Sequence, residues 1–247
     1  MQTHPLFEIS EHVRSEAKNQ RVAVIFDLDS TLFCVSPRIQ HILRTLGHDG
    51  EFSRLYRSEA EILKNIEVLP TDWGVKTVLQ RLGLSATPDL VWRVRSYWNS
   101  QFFANFHLDK DIIYPAADEY VRHLHSLGAH ILYLTGRSEA AMREGTLLAL
   151  KRWNFPLDSE SNLYMKPLHI EKDEAFKAHV LKDLATKFDH IWFFENEPVI
   201  IEQVLNLVPH IHIVFVNSTH SGKAKPPTNL RTVGMDYRDG LPKKSVT

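Results

Sequence analysis

The sequence predicts an α/β fold: a mostly parallel sheet with helices on both faces, interrupted early by a helical insertion. Short apolar runs (VAVIF, ILYL, IWFF, IHIVFV) alternate with longer stretches of helical period. That is the pattern of strands buried on both faces and joined by crossover helices. About a hundred residues separate the first two runs, far more than one crossover requires.

Residues 21–27 form the first strand candidate, which ends in Asp27. The long interval reads as helices over 38–47, 52–66, 72–82 and 88–105. Trp73, Trp92 and Trp98 lie there beside Phe102, Phe103 and Phe106, enough aromatic area for a separate small core. Residues 36–108 are therefore expected to form a helical cap domain, and 1–35 with 109–247 the α/β core domain. A helix over 115–127 follows, with Gly128 where a C-cap belongs. Next come a strand over 130–135, a helix over 138–153 opened by Ser138 as N-cap, and a short strand over 162–165. A helix over 173–188, a strand over 190–195, a helix over 197–207 and a strand over 210–216 complete the pattern. After Asn217 the stretch STHSGKAKPPTNLRT reads as a loop. The tail from Ser218, with Lys223, Lys225, Arg231, Arg238, Lys243 and Lys244 against Asp236 and Asp239, reads as a solvated flap.

Composition narrows the class. The 247 residues carry 29 basic and 30 acidic side chains, so no one-sign field points to nucleic acid or a membrane surface. Cys34 is the sole cysteine and has no internal disulfide partner, which favours a reducing compartment. The N-terminal stretch lacks the basic and apolar regions of a signal peptide, and no apolar run approaches the ~20 residues of a membrane span. A soluble cytoplasmic protein, with neither nucleic acid nor membrane as partner, is expected. Fourteen histidines invite a metal reading. His210 and His212 share a strand face, but the sequence offers them no third ligand, and no HExxH occurs.

In open parallel sheets, ligands bind beyond the carboxyl ends of the strands. The strand ends here carry Asp27, Asp29, Ser30 and Thr31; Thr135, Gly136 and Arg137; Lys166; Glu195, Asn196 and Glu197; and Asn217. Residues two apart in an extended chain point the same way, so Asp27 and Asp29 can face one substrate. Carboxylates held this close need positive charge, from a divalent cation or a lysine.

These residues carry a family resemblance. DLDST at 27–31, after an apolar strand, resembles the first motif of the haloacid dehalogenase superfamily, and LTGR at 134–137 resembles its second. Lys177 in FKAHVL resembles the third-motif lysine, and FFENE at 193–197 the acidic fourth motif. The resemblance spans about residues 21–217 and implies a Rossmann-like core with a cap inserted after the first strand. It further implies a Mg²⁺-dependent phosphatase hydrolysing a small phosphate monoester. Asp27 would be the nucleophile forming an aspartyl-phosphate, and Asp29 a general acid–base with a pKa above the ~3.9 reference. Lys177 would offset charge, and Thr31, Thr135, Gly136 and Lys166 would bind substrate. Mg²⁺ would sit among Asp27, the Asp29 carbonyl and Glu195. The fourth motif usually offers aspartates, and here reads Glu-Asn-Glu; Glu195, at the strand end, is preferred to Glu197, and Lys177 to Lys166. A phosphotransferase or phosphomutase would use the same residues, and a catalytically silent phosphate-binding regulator would keep the fold alone. Neither GxGxxG nor GxxxxGK[ST] follows the first strand, which argues against dinucleotide or P-loop chemistry.

Overall fold

The computed structural model describes residues 3–85, 87–167 and 171–242. Helix α1 (Pro5–Glu16) starts with proline in its first turn and the His4 ring accepting from the Leu6 amide. Leu6, Ile9 and Val13, at helical spacing, are fully buried. Strand β1 (Val22–Phe26) follows, and all five of its side chains are inaccessible to solvent. Removing a Val, Ile or Phe side chain from water contributes about 1.5–3 kcal/mol, so this strand is a strong centre for the sheet.

A two-residue strand β2 (Phe33–Cys34) pairs antiparallel with β3 (Ile112–Ile113). Between them lie α2 (Ser36–His48), α3 (Gly50–Leu55), α4 (Arg57–Lys64), α5 (Gly74–Arg81) and α6 (Pro88–Phe102). The single helix expected over 52–66 is instead α3 and α4, broken at Tyr56, whose φ of −133° and ψ of 60° lie outside the helical region. Ile39, Ile42, Leu43, Val78, Val94 and Phe102 belong to an apolar cluster of this insert alone.

The remainder is α7 (Ala117–Ser126), β4 (His130–Ser138), α8 (Glu139–Arg152), β5 (Leu163–Lys166), α9 (Asp173–Leu184), β6 (His190–Glu195), α10 (Pro198–Leu207), β7 (His212–Val216) and β8 (Arg231–Val233). The strands form one parallel six-stranded sheet in the order β5-β4-β1-β6-β7-β8. Val22, Val24 and Phe26 pack on one face with α1, α7 and α8, and Ala23 and Ile25 on the other with α9 and α10. This is the α/β, Rossmann-like arrangement the sequence predicts.

The C-terminal tail departs from the solvated flap expected of it. Arg231–Val233 forms β8 on the open edge of β7, and Tyr237 is fully buried, its hydroxyl donating to the Thr31 carbonyl at 2.9 Å. An uncovered strand edge leaves backbone groups unpaired, so even three residues are recruited to it. Lys243 and Lys244 of that tail lie outside the described residues. No helix among the described residues is long and apolar enough to cross a membrane.

Candidate active site

The carboxyl ends of β1, β4 and β6 open into a cavity of about 690 Å³, covered by α5 and α6. Asp27 is the first residue beyond β1, and its amide donates to the Phe194 carbonyl at 3.0 Å, which sets it beside Glu195 at the end of β6. Lys177, from the second turn of α9, bridges the two. Its Nζ lies 2.5 Å from Asp27 Oδ1 and 2.7 Å from Glu195 Oε2. All three side chains are buried. Glu195 Oε1 accepts from the amides of Asn196 and Glu197, both at 2.9 Å. Glu197 also lines the cavity but does not join this pair; it accepts from the amide and hydroxyl of Ser221.

Electrostatics follow from this sharing. Burial, partly offset by Lys177 and reinforced by Asp27, pushes Glu195 up to about 7. Burial likewise raises Asp27 against the pull of Lys177. For Lys177, burial opposes the ammonium, but the two carboxylates outweigh it and hold its pKa above the usual lysine range. Two buried acids thus share one lysine, so ionising both would leave one negative charge uncompensated. Carboxylate and carbonyl oxygens in this setting are the donors a hard divalent cation takes, so the residue set fits one.

Asp29 stands in a different environment. Leu28 points into the core, and the chain then turns tightly, with the amides of Thr31, Leu32 and Phe33 all donating to the Leu28 carbonyl and Ser30 at a φ of 63°. Asp29 accepts from Arg38 Nη2 at 3.0 Å, Arg137 Nε at 3.1 Å and Arg137 Nη2 at 2.6 Å. Arg137 also donates to Asp111 at 2.9 Å, and Arg38 Nε lies 3.0 Å from Asp111 Oδ1 without hydrogen-bond geometry. Burial would raise Asp29, but Arg137 and Arg38 overcome it and hold its carboxyl well below the usual range. This corrects the expectation of a raised pKa: two guanidiniums stabilise the charged form that an acid must give up.

Among the substrate-binding candidates, Thr135 and Gly136 line the cavity. The Thr135 hydroxyl accepts from the Arg137 amide at 3.2 Å, leaving its own hydrogen to donate. Gly136 is required by close approach, because a Cβ there would lie 2.6 Å from an Asp173 carboxylate oxygen. Two candidates fall elsewhere. Thr31 does not line the cavity; it is fully buried and donates to Asn196 Oδ1 at 3.2 Å, bracing the turn against β6. Lys166 does not line the cavity: β5 is the edge strand, and Lys166 pairs with Asp173 of the first turn of α9, which stands between it and the cavity.

Arg38 and Asp111 were not expected at the site. Arg137, at the expected strand end, has no role in the sequence reading beyond its place in the motif, yet it is 2% exposed and clamps Asp29. For Arg38 a signal exists: it shares the apolar stripe of Val35, Ile39 and Ile42, where a charge needs a partner. Asp111 gives none. The insert adds Val75, Trp98 and Phe102 to the cavity wall, and charges of both signs surround it, Lys76, Arg95, Lys172 and Lys223 with Glu171 and Glu174. The buried Nε1 of Trp98 has no hydrogen-bond partner among the described residues.

A parallel α/β sheet thus gathers acidic, hydroxyl and lysine groups at its carboxyl ends, where open sheets of this kind bind ligands. The sequence profile of haloacid dehalogenase-like hydrolases matches residues 22–202. The chain belongs to the haloacid dehalogenase-like hydrolase family. No curated protein matches it in sequence. The fold is similar to that of a Burkholderia xenovorans chain provisionally described as a haloacid dehalogenase-like hydrolase, with 15% identity and a TM-score of 0.50 over 90% of this chain and 96% of the other. It is equally similar to protein tyrosine kinase A of Mycobacterium tuberculosis, with 15% identity and a TM-score of 0.50 over 86% and 93%. At this identity the likeness concerns the fold, and a fold does not choose between hydrolysis and transfer.

Proposed function

We propose that the chain is a Mg²⁺-dependent phosphomonoesterase acting on a small phosphorylated molecule through an aspartyl-phosphate on Asp27. The observation that carries this reading is the Asp27–Lys177–Glu195 constellation at the floor of a cavity closed over by a helical cap. Asp27, Glu195 and the Asp29 carbonyl would hold Mg²⁺, which when bound supplies positive charge to the phosphoryl oxygens and relieves repulsion between the two acids.

Asp27 attacks phosphorus through its free carboxylate oxygen, forming the P–O bond to the enzyme as the ester P–O bond breaks. Lys177 stabilises the charge developing on the phosphoryl group, and Thr135 donates a hydrogen bond to one of its oxygens. Water then attacks the phosphorus of the aspartyl-phosphate, inorganic phosphate leaves and Asp27 is restored. Asp29, held ionised, suits the second half of this sequence, taking the proton from that water. In the first half, the leaving oxygen takes its proton from solvent. The organic part of the substrate would lie along Trp98 and Phe102, with an acceptor for Trp98 Nε1.

The arginine clamp on Asp29 also supports a second reading: phosphate binding, or phosphoryl transfer to another acceptor, with little turnover to water. One assay separates the two. Release of inorganic phosphate from an aryl phosphate in the presence of Mg²⁺, abolished in Asp27→Asn, is the expected result. Release that persists in Asp27→Asn removes Asp27 as nucleophile, and phosphate binding without release across a broad substrate panel favours the silent protein.

A further inference from the structure

At the opposite end of the sheet, three histidines from three elements meet. His190 opens β6, His212 opens the neighbouring β7, and His12 reaches them from α1. One ring nitrogen from each lies within 4.8 Å of the others, and all three side chains are half-buried. The rings of His12 stand edge-on to His190 and His212, at centroid distances of 5.1 and 5.6 Å. Glu16 brings a carboxylate 3.8 Å from His190 Nε2. The partner that the sequence did not supply for His212 comes from residues about 20 and 200 positions away.

We propose that His12, His190 and His212 form a binding site for a transition-metal dication of the zinc type, separate from the carboxylate site. Neutral imidazole suits Zn²⁺, Cu²⁺ and Ni²⁺, whereas Mg²⁺ prefers oxygen. Burial and mutual crowding lower the pKa of His12 and His212, keeping them in the form that ligates. Three protein nitrogens fill three of the four tetrahedral positions of Zn²⁺, leaving the fourth to water or to the nearby Glu16 carboxylate. Zn–N bonds near 2.0–2.1 Å put the nitrogens about 3.4 Å apart, so the rings close inward by about an ångström as the ion enters. Arg231, stacked over Trp192, opposes a cation there, and Glu16 offsets it.

Trp192 connects the cluster to an intrinsic signal. Its Nε1 donates to His12 Nδ1 at 3.2 Å, and its ring stacks on His212 at 4.4 Å. Indole is a donor only, so His12 Nδ1 carries the lone pair and a neutral ring keeps its proton on Nε2. Coordination through Nδ1 displaces the indole; coordination through Nε2 moves the proton to Nδ1. Either way the Trp192 bond breaks. The ion would tie α1 to two adjacent strands about 17 Å, the length of β6, from Glu195, so its effect is on stability rather than on the reacting atoms.

The test is Zn²⁺ titration of the full chain in excess Mg²⁺, read by calorimetry and tryptophan fluorescence. One Zn²⁺ per chain, retained in Asp27→Asn, is the expected result. In His190→Gln and His212→Gln, affinity is expected to fall by at least the roughly 10–100-fold that even an outer-shell change costs. Absence of stoichiometric binding, binding indifferent to both substitutions, or binding lost in Asp27→Asn overturns the proposal. Should His212→Gln fail to fold by circular dichroism, His190→Gln, at a partly exposed first strand position, decides alone.

Discussion

Asp29 and Asp111 show how two carboxylates sharing two guanidiniums acquire opposite properties. Asp29 takes three arginine hydrogen bonds; Asp111 takes one, and its Oδ1 has none. Asp29 is accordingly held ionised, while burial, resisted by Arg38 and Arg137, pushes Asp111 up to about 6. If Asp29 serves as base for water attack, Asp29→Asn leaves the first half-reaction intact. Phosphorylated protein should then accumulate, visible as added phosphate in intact mass with an aryl phosphate substrate; an unmodified mass would deny it that role. Asp111 bears on pH. Its folded pKa exceeds the unfolded value of about 3.8, so between about pH 4 and 6 the folded state holds the proton that the unfolded chain releases. Stability therefore falls as pH rises through that window, by an amount on the order of 3 kcal/mol at most. Urea unfolding at the two ends of the window should show this component in the parent and not in Asp111→Asn.

At the scale of elements, each site residue is aimed by the element that carries it. Five inaccessible side chains fix β1, so the position of Asp27 is set by the core rather than by the loop that follows. Lys177 enters from α9, whose first residue, Asp173, pairs with Lys166 and lies against Gly136. Adding a methyl group at Gly136 would push Asp173 off Lys166 and tilt the start of α9. Gly136→Ala is expected to cost about 1–3 kcal/mol, read as a lowered thermal midpoint. An unchanged midpoint would mean that Asp173 rotates away at no cost. The neighbouring positive φ at Ser30 belongs to the same tight turn and explains how Asp29 leaves the strand yet stays beside Asp27.

For the whole molecule, the Arg38–Asp29–Asp111–Arg137 network joins the helical insert to the sheet, since Arg38 belongs to α2 and Arg137 to β4. Arg38→Met would leave Asp111 with Arg137 as its one cation in that network. Removing one partner of a buried pair costs about 3–5 kcal/mol. We expect that loss in global stability, together with faster proteolytic cleavage of the insert; cleavage at the parent rate would show that the apolar contacts alone hold it. The periodicity of apolar residues determined the alternating elements, and polar residues at the ends of apolar runs marked Asp27, Thr135 and Glu195, while Lys177 was marked by its motif resemblance. Those features are local, and burial imposes them directly on the residue pattern. Tertiary structure alone decided the arginine clamp, whose Arg137–Asp29 contacts span 108 positions, the capture of Arg231–Val233 as a sixth strand, and the histidine triad. Such meetings depend on which strands become neighbours, and no local period records that order.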